Sequence, residues 1–327
     1  SSAPASAGTP WRRSRVWFGP CTRVPICGAG VSNARSVVVQ CSLDMLSSCQ
    51  FKDHVIQGTA IAPGAASFEL VTSVQRVLRD PSQASCAMGV RGVVLVRPVV
   101  LDGAGAHIEV RVDSSRGSIE LGVQRGASPW SPCIQCWVQQ VACESESSPA
   151  PASGAYLDAT RRGRTCVPQD SAHLYGSFAR AGYRYGRSFQ RMSGAHVSAD
   201  ASEALARILP GEVCSSRGGD DSTFWVHPAM LDSTMQLGIV MASASASSGE
   251  GTFIPASVDA LTSCSPCGSG AAFGSSLCFR ESDARGRPQG VECHRLVRGD
   301  TGADVAIVER LVSKGISVAS IRAPAAA

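Results

Sequence analysis

The chain has 327 residues, of which 44% are apolar and 17% charged, a composition typical of a folded globular protein and not of a disordered one. Its formal net charge of +4 is mild, and its arginines are scattered without interleaved aromatic residues, so nothing indicates a nucleic-acid partner. No apolar run approaches the roughly 20 residues that a membrane helix needs, so we expect a soluble protein without a membrane partner.

Residues 1–20 are rich in Ser, Ala and Arg, and the first acidic residue of the chain is Asp44. This pattern is typical of a transit-peptide remnant, and it fits a linker between domains equally well. We therefore expect residues 1–20 to lie outside the fold. The expected location is the cytoplasm, or a plastid if the segment is a transit remnant.

The chain contains 14 cysteines, but disulfide frameworks are typical of much shorter chains that lack a core. Most of the cysteines lie in strand-like runs such as "VVVQC", where a thiol acts as a small apolar side chain, and this favours a reducing compartment. Two CxxC pairs, Cys133/Cys136 and Cys264/Cys267, raise the question of zinc. The pairs are far apart in sequence, and strand alternation would send positions three apart to opposite faces. We therefore predict structural thiols and no metal site.

A linker is predicted at 145–155, within "ESESSPAPASGA", because Ser, Pro and Ala dominate there without any period. It divides the chain into a first half, 21–144, and a second half, 156–320, followed by a tail at 321–327. The first half begins with a short strand, "ARSVVVQC". A helix over 65–79 follows, in which Val71, Val74 and Val77 recur at helical spacing. The apolar stripe of this helix is wide, which predicts burial on most sides. The helix is followed by the strand-like runs "VRGVVLVRPVVL", "HIEVRVD", "SIELGVQR" and "IQCWVQQVAC".

The second half repeats this layout. A short helix, "AHLYGSFARAG", precedes the strand-like "ALARILP", and Pro228 is placed to open a long helix through Asp232 and Gln236. Strand-like runs follow again: "FIPASVDAL", "AAFGSSLCFRE", "GVECHRLV" and "DVAIVERLV". Each half is thus predicted to be one buried helix followed by a meander of antiparallel strands that wraps it. The predicted fold class is α+β, a double hot dog made of two tandem hot-dog folds.

His54, Gly58 and Pro63 form the first group of candidate functional residues, in "FKDHVIQGTAIAPGAASFEL". A histidine is partly neutral at cellular pH and can act as a general base, although a lone histidine is more often a hydrogen-bonded residue at a strand end. Gly58 allows close backbone approach, and we expect its N–H to lie near a helix start, where it can hold a carbonyl that gains negative charge. A base beside such a donor suits removal of a proton α to a carbonyl.

Asp232 is the second candidate, and we expect it in the first turn of a buried helix. The helix dipole would lower its pKa, so a role as general acid requires that apolar burial outweighs the dipole. Otherwise Asp232 is simply an acidic residue favoured at a helix N-terminus. Gln236, four residues on, shares its helix face and can hold its side chain. Tyr185, in "GYRYGRSF", can donate a hydrogen bond to a substrate oxygen or simply stabilise a loop.

A base and an acid placed across a β-hydroxyacyl thioester would eliminate water, a reaction that needs no metal or nucleotide cofactor. The sequence resembles the dehydratase domains of polyketide synthases, which are double hot dogs, over residues 25–315. Three family motifs occur in the family's order: HxxxGxxxxP as His54, Gly58 and Pro63; GxxYGPxF as Gly182, Tyr185, Gly186 and Phe189; and HPxxxDxxxQ as His227, Pro228, Asp232 and Gln236.

The resemblance implies that His54 is the base and Asp232 the acid, meeting in a tunnel between the halves. It further implies that the Gly58 N–H binds the thioester carbonyl and that Tyr185 and Gln236 position the β-hydroxyl and the aspartate. Pro63, Gly186 and Phe189 belong to the same motifs and are expected at the substrate site, whereas we expect His227 to be structural. The implied substrate is carried on the phosphopantetheine arm of an acyl carrier protein. Neighbouring synthase domains and a homodimer are the other implied partners.

One departure from the family pattern is Arg187, which replaces the proline of GxxYGPxF and adds a charge and a free N–H. Two same-fold alternatives, a double-bond isomerase and a product-template-like cyclase, also use a histidine. The intact Asp232 favours dehydration over isomerisation. A hot-dog thioesterase and a non-catalytic scaffold domain are further alternatives, and Arg187 is the only feature in favour of the scaffold.

Overall fold

The computed structural model describes residues 29–32, 36–43, 51–78, 87–101, 106–139, 141, 167–210, 224–244, 251–264, 274–282, 288–299, 303–317, 319 and 321. The predicted segments at 1–20 and 145–155 lie outside the described residues. No helix in the described part of the chain has the length and apolarity needed to cross a membrane.

The helices are α1 (Gly64–Leu78), α2 (Ser171–Arg180) and α3 (Pro228–Ala244). The strands are, in chain order, β1 (Ala29–Ser32), β2 (Ser36–Ser42), β3 (His54–Ile56), β4 (Thr59–Ala60), β5 (Met88–Leu95), β6 (Ala106–Asp113), β7 (Ser118–Arg125), β8 (Ser131–Gln139), β9 (Val167–Gln169), β10 (Tyr183–Tyr185), β11 (Met192–Val197), β12 (Glu203–Ile208), β13 (Thr252–Ser263), β14 (Gly274–Ser282), β15 (Pro288–Arg298) and β16 (Asp304–Ile316).

Thirteen of these strands form one antiparallel sheet in the order β1-β2-β6-β7-β8-β5-β13-β16-β15-β14-β12-β11-β9. The two halves share one topology within it. In each half, a strand precedes the long helix and pairs with the second strand after it, as β2 with β6 and β12 with β14. The first strand after the helix, β5 or β13, pairs instead with the fourth, β8 or β16. The predicted simple meander is therefore wrong for β5 and β13. Each crosses to the far side of the three strands that follow it, β6–β8 or β14–β16. There β5 and β13 pair with each other and so join the two halves.

The long helices lie against this sheet, as the predicted double hot dog requires, and the prediction is confirmed. Helix α1 begins at Gly64, directly after Pro63, and its residues Ala65, Phe68, Val71 and Val74 are at most 2% exposed. Helix α3 is buried nearly all round over its first three turns, and this includes its polar residues. A helix buried on all sides is typical of a core element enclosed by a sheet.

A second, three-stranded sheet, in the order β10-β3-β4, was not predicted from the sequence. Its strands are only two or three residues long, too short to show a period. It joins the halves beside the long helices, because β10 of the second half pairs with β3 of the first and sets Tyr185 opposite His54.

Candidate active site

His54 begins β3 and is held by the hairpin that β3 makes with β4. Its Nδ1 lies 2.9 Å from the carbonyl oxygen of Ile61, and the Ile61 N–H in turn donates to the His54 carbonyl at 3.1 Å. Because a carbonyl oxygen only accepts, Nδ1 carries the proton of the neutral imidazole. The Nε2 lone pair is then free. The side chain is buried, with the Phe189 ring edge-on at a centroid distance of 5.4 Å.

Gly58 shapes this hairpin and does not lie at a helix start. Gln57 and Gly58 have φ angles of 50° and 75°, the positive values of a type I′ two-residue turn, which returns the chain so that Ile61 reaches His54. The expectation that the Gly58 N–H lies near a helix start is wrong, because α1 begins six residues later at Gly64. Gly58 is exposed on the hairpin tip, and it is Gly64 that lines the cavity described below.

Asp232 is the fifth residue of α3 and lies one turn further in than expected from the sequence. The helix dipole acts mainly within the first turn, so its effect on this carboxyl is small. Burial raises the pKa of Asp232 above its ordinary value, while His54 and the hydrogen bond from Gln236 oppose the rise. Burial therefore outweighs the opposing effects and shifts this carboxyl toward its neutral form.

The two candidate groups face each other across the two halves. Asp232 Oδ1 lies 3.6 Å from His54 Nε2, and Asp232 Oδ2 accepts a hydrogen bond from Gln236 Nε2 at 2.9 Å. The amide of Gln236 also donates to the carbonyl oxygen of Phe189 at 3.2 Å. Oδ2 is thus occupied by Gln236, and Oδ1 is the carboxyl oxygen that faces the histidine.

Tyr175 supports this arrangement and was missed in the sequence. Its hydroxyl donates to Gln236 Oε1 at 3.2 Å and accepts from the Met192 N–H at 3.1 Å. Gln236 is thereby fixed at both ends of its amide. Tyr175 lies in α2, outside all three motifs, and no sequence signal distinguishes it from an ordinary residue of an amphipathic helix.

The remaining motif residues occupy two kinds of position. Tyr185 lines the cavity, its ring centroid 5.4 Å from that of His54, and within the described residues its hydroxyl has no hydrogen-bond partner. Pro63, Gly186 and Phe189 do not line the cavity. Gly186 packs against the carboxylate of Asp53, which a side chain at 186 would meet, and its N–H donates to the Asp53 carbonyl at 2.7 Å.

Arg187 and His227 both lie outside the cavity lining. Arg187 is exposed and is the first residue of a short 3-10 helix, Arg187–Phe189, a position that accepts proline and other residues alike because its N–H has no partner within the helix. His227 Nδ1 accepts the N–H of Ala229 at 3.2 Å and so caps the start of α3. Burial and the nearby Arg191 lower the pKa of His227 to about 4, so its ring stays neutral and able to accept.

A cavity of about 1070 Å³ contains the pair. Both halves contribute to its wall, which includes His54 and Gly64 from the first half and Tyr185, Asp232 and Gln236 from the second. Its size suits an extended small-molecule chain. Arg180 also lines it and is exposed at the end of α2, so this arginine marks a place where the cavity reaches the surface.

The CxxC pairs show no metal-ligand geometry among the described residues. Cys133 and Cys136 are both buried in β8. Burial raises the pKa of both thiols, to about 11 and about 12, which suits structural thiols. Cys267 lies outside the described residues.

Two family models match the chain. One, described as polyketide synthase dehydratase N-terminal domain, covers residues 158–320, and one described as polyketide synthase dehydratase domain covers residues 25–125. The chain belongs to the polyketide synthase dehydratase family, as the three motifs indicated.

Curated relatives are large synthases. The chain is 29% identical over 58% of its length to polyketide synthase PksL of Bacillus subtilis and 29% identical over 65% to pikromycin polyketide synthase component PikAII of Streptomyces venezuelae. It is 30% identical over 65% to a phthioceranic/hydroxyphthioceranic acid synthase of Mycobacterium tuberculosis. The matched regions are only 4%, 6% and 10% of those proteins.

Solved structures support the fold. The dehydratase domain from the CurK module of curacin polyketide synthase matches with a TM-score of 0.72 at 17% identity, over 90% of this chain and 99% of that one. The dehydratase domain from the terminal module of the rifamycin synthase matches with a TM-score of 0.63 at 19% identity, over 90% of this chain and 97% of that one.

Proposed function

We propose that the protein is a hydro-lyase that removes water from a β-hydroxyacyl thioester and leaves an α,β-enoyl thioester. The observation that carries the proposal is the contact of a histidine that has a free Nε2 with a buried carboxyl whose neutral form is favoured, inside one large cavity. A base and an acid side by side are the two groups that β-elimination requires. Membership of a dehydratase family supports the same reaction.

In the proposed reaction, His54 Nε2 takes the proton from the α-carbon, and the electrons of that C–H bond form the new double bond. The bond between the β-carbon and oxygen breaks, and the leaving hydroxyl takes the proton of Asp232 to depart as water. His54 then holds the extra proton and Asp232 is ionised. Their separation of 3.6 Å lets the proton return from Nε2 to Oδ1 after the product leaves, which restores both groups.

The adjacency of the two groups also bears on stereochemistry. Base and acid lie next to each other, 3.6 Å apart, so we propose that both act on one side of the substrate and that proton and hydroxyl leave from the same face. Gln236, fixed by Tyr175, keeps Oδ2 occupied, so Asp232 presents Oδ1 to the leaving hydroxyl. The Tyr185 hydroxyl, without a protein partner among the described residues, is the donor we assign to the substrate's β-oxygen.

The thioester carbonyl needs a hydrogen-bond donor as the α-carbon loses its proton. Gly58 carried this role in the sequence-based expectation, but its place on the exposed hairpin tip does not support it. We assign the role instead to the first turn of α1, where Gly64 lines the cavity. The first N–H groups of a helix have no intrahelical acceptor, and the dipole there favours negative charge.

We propose that the acyl chain arrives on the phosphopantetheine arm of an acyl carrier protein. Two arginines in the cavity wall, Arg97 and the exposed Arg180, offer guanidinium groups that suit the phosphate of such an arm. The relatives are named as polyketide synthases, so neighbouring synthase domains are the expected surroundings of this domain.

The test is intact mass spectrometry of an acyl carrier protein loaded with a β-hydroxyacyl chain, incubated with the parent protein and with His54→Ala and Asp232→Asn. We expect loss of one water with the parent and none with either variant. Matched controls are His173→Ala and Asp259→Asn, which change an exposed histidine and an exposed aspartate, and both should retain the parent's activity.

Other outcomes of this test would contradict the proposal in distinct ways. Unchanged mass with every substrate offered points to an isomerase, a cyclase or a scaffold domain. Release of the acyl chain from the carrier points to a thioesterase. Two solved structures of the CurK dehydratase, which shares this fold, are inactive mutants, one with a histidine replaced by phenylalanine and one with an aspartate replaced by asparagine. A histidine and an aspartate are the residue types that we propose as base and acid here.

A further inference from the structure

Cys278, Glu292 and His294 form a buried cluster that the proposed reaction does not use. Cys278 lies on β14 directly opposite His294 on β15, and Glu292 is two residues from His294, on the same face of that strand. One ligand-type atom from each, Sγ, Nε2 and a carboxylate oxygen, lies within 4.8 Å of the other two. Cys278 and His294 are fully buried, and the Glu292 side chain is 13% exposed.

We propose that these three residues bind a divalent transition-metal ion, with zinc the best match. Cys, His and carboxylate are the side chains that zinc takes as ligands. The two distances from His294 Nε2 are close to those of a shared tetrahedral centre. His294 Nε2 is 3.3 Å from Glu292 Oε2 and 3.7 Å from Cys278 Sγ. Zinc bond lengths of about 2.0–2.3 Å, in tetrahedral directions, place such ligand atoms about 3.3–3.6 Å apart.

The outer contacts of the cluster are those of a metal site. His294 Nδ1 donates to the carbonyl oxygen of Thr234 at 3.1 Å, which leaves the Nε2 lone pair free to bind a metal ion. Arg280 Nη2 donates to Glu292 Oε1 at 3.0 Å, which leaves Oε2 for the ion. A ligand histidine oriented by a backbone carbonyl and a ligand carboxylate that is itself hydrogen-bonded are the usual surroundings of a protein-bound metal.

Two alternatives compete with the metal site, and the contacts argue against the first. A Cys–His–Glu nucleophilic triad needs the two ring nitrogens to face different partners, yet here Nε2 faces both Cys278 and Glu292 while Nδ1 is occupied by Thr234. Cys278 also does not line the cavity. A buried Arg280–Glu292–His294 ion-pair network is the second reading, and it would hold together without any metal.

The location gives the ion a structural role. The cluster links β14 and β15 to α3 through the Thr234 carbonyl, and α3 carries Asp232 two residues earlier. Gly238 of the same helix is in close contact with the Glu292 carboxylate, and any side chain there would displace it. Glu292 and Arg280 line the cavity, so the ion is reached from it. Binding releases the Cys278 thiol proton to solvent and ties the catalytic helix to the sheet.

The experiment uses the full chain, stripped with a chelator and titrated with zinc in competition with a coloured chelator. Cobalt(II) is used in parallel, because thiolate ligation gives it a charge-transfer absorption band. We expect Cys278→Ser either to bind one zinc ion fewer than the parent at matched metal concentration or to bind that ion at least about 100-fold more weakly. With cobalt(II), the same variant should lose the charge-transfer band of the thiolate. Cys136→Ser is the matched control, since its thiol is buried in the first half, and it should behave as the parent.

A second variant keeps the proposal testable if Cys278→Ser does not fold, as judged by circular dichroism. Arg280→Gln leaves all three ligands in place and should weaken zinc binding about 10- to 100-fold. Added zinc should raise the melting temperature of the parent more than that of Arg280→Gln. Equal stoichiometry, equal affinity and equal thermal shift in the parent and both variants would overturn the metal site and leave the ion-pair network. None of these readouts depends on the dehydratase proposal.

Discussion

Glu69 joins the two halves of the protein from inside the core. It lies on α1, is 3% exposed, and accepts hydrogen bonds from the backbone N–H groups of Trp225 at 2.8 Å and Val226 at 3.1 Å, just before α3. Ser73 Oγ donates to it as well. Burial raises the pKa of Glu69 from its ordinary 4.5 to about 7, although these donors oppose the rise.

This shift makes stability depend on pH with a definite sign. Between about pH 4.5 and pH 7 the native protein keeps the Glu69 proton while the unfolded chain has lost it, so stability falls as pH rises through that range. A pKa difference of about 2.5 corresponds to roughly 3 kcal/mol in total. About 2–3 kcal/mol of this should be lost between pH 5 and pH 8.

Substitution Glu69→Gln removes the titrating group and keeps its shape. The amide retains one acceptor oxygen but turns an NH₂ toward a backbone N–H, so at pH 5 the variant should be about 1–3 kcal/mol less stable than the parent. By pH 8 the difference should shrink by about 2–3 kcal/mol, because the parent then carries a buried charge.

Urea unfolding at pH 5, 6, 7 and 8, followed by tryptophan fluorescence, measures this difference, and other titrating groups cancel between the two proteins. Trp225 is a suitable reporter because it lies at the hydrogen bond itself, with the Arg76 guanidinium 4.8 Å from its ring centroid. A stability difference that is constant, or that grows with pH, would show that the hydrogen-bond donors hold Glu69 ionised and would refute the reasoning.

Two further predictions concern the proposed catalytic pair, His54 and Asp232. Tyr175→Phe leaves the Met192 N–H without its acceptor and removes the donor to Gln236 Oε1, so we expect a loss of about 1–3 kcal/mol in urea unfolding and a lower dehydration rate at saturating substrate. An unchanged rate would show that Gln236 needs no support from Tyr175. Gly58→Val should cost about 1–2 kcal/mol through its positive φ alone, since no atom lies near a Cβ there, and Gly58→Asn should cost less. Gly117→Val, at φ 64° in another open turn, is the matched control. It should lose similar stability but keep activity, unlike Gly58→Val, whose hairpin holds His54. Equal loss of activity in both valine variants would show that Gly58 has no specific effect on His54.

The sequence predicted the long elements well, because their periods are expressed over many residues. Helix α1 was predicted over 65–79 and spans Gly64–Leu78, and the start of α3 at Pro228 was also correct. The small sheet that positions His54 and Tyr185 was missed, since strands of two or three residues have no measurable period and form only when the halves meet. The crossing of β5 and β13 was missed for a similar reason, because strand order depends on contacts between distant residues.

The sequence by itself determined the family, the fold class and the identity of the two groups at the centre of the proposed reaction, because motif spacing and hydrophobic period are local properties of the chain. Only the tertiary structure decided which nitrogen of His54 is free, that burial raises the pKa of Asp232, and that Gly58 shapes a hairpin instead of lining the cavity. It also decided that Tyr175 holds Gln236 and that Glu69 links the two halves. It also brought Cys278, Glu292 and His294 together. Each of these depends on the distances between residues far apart in sequence and on how deeply those residues are buried. Neither quantity can be read from the spacing of residues along the chain.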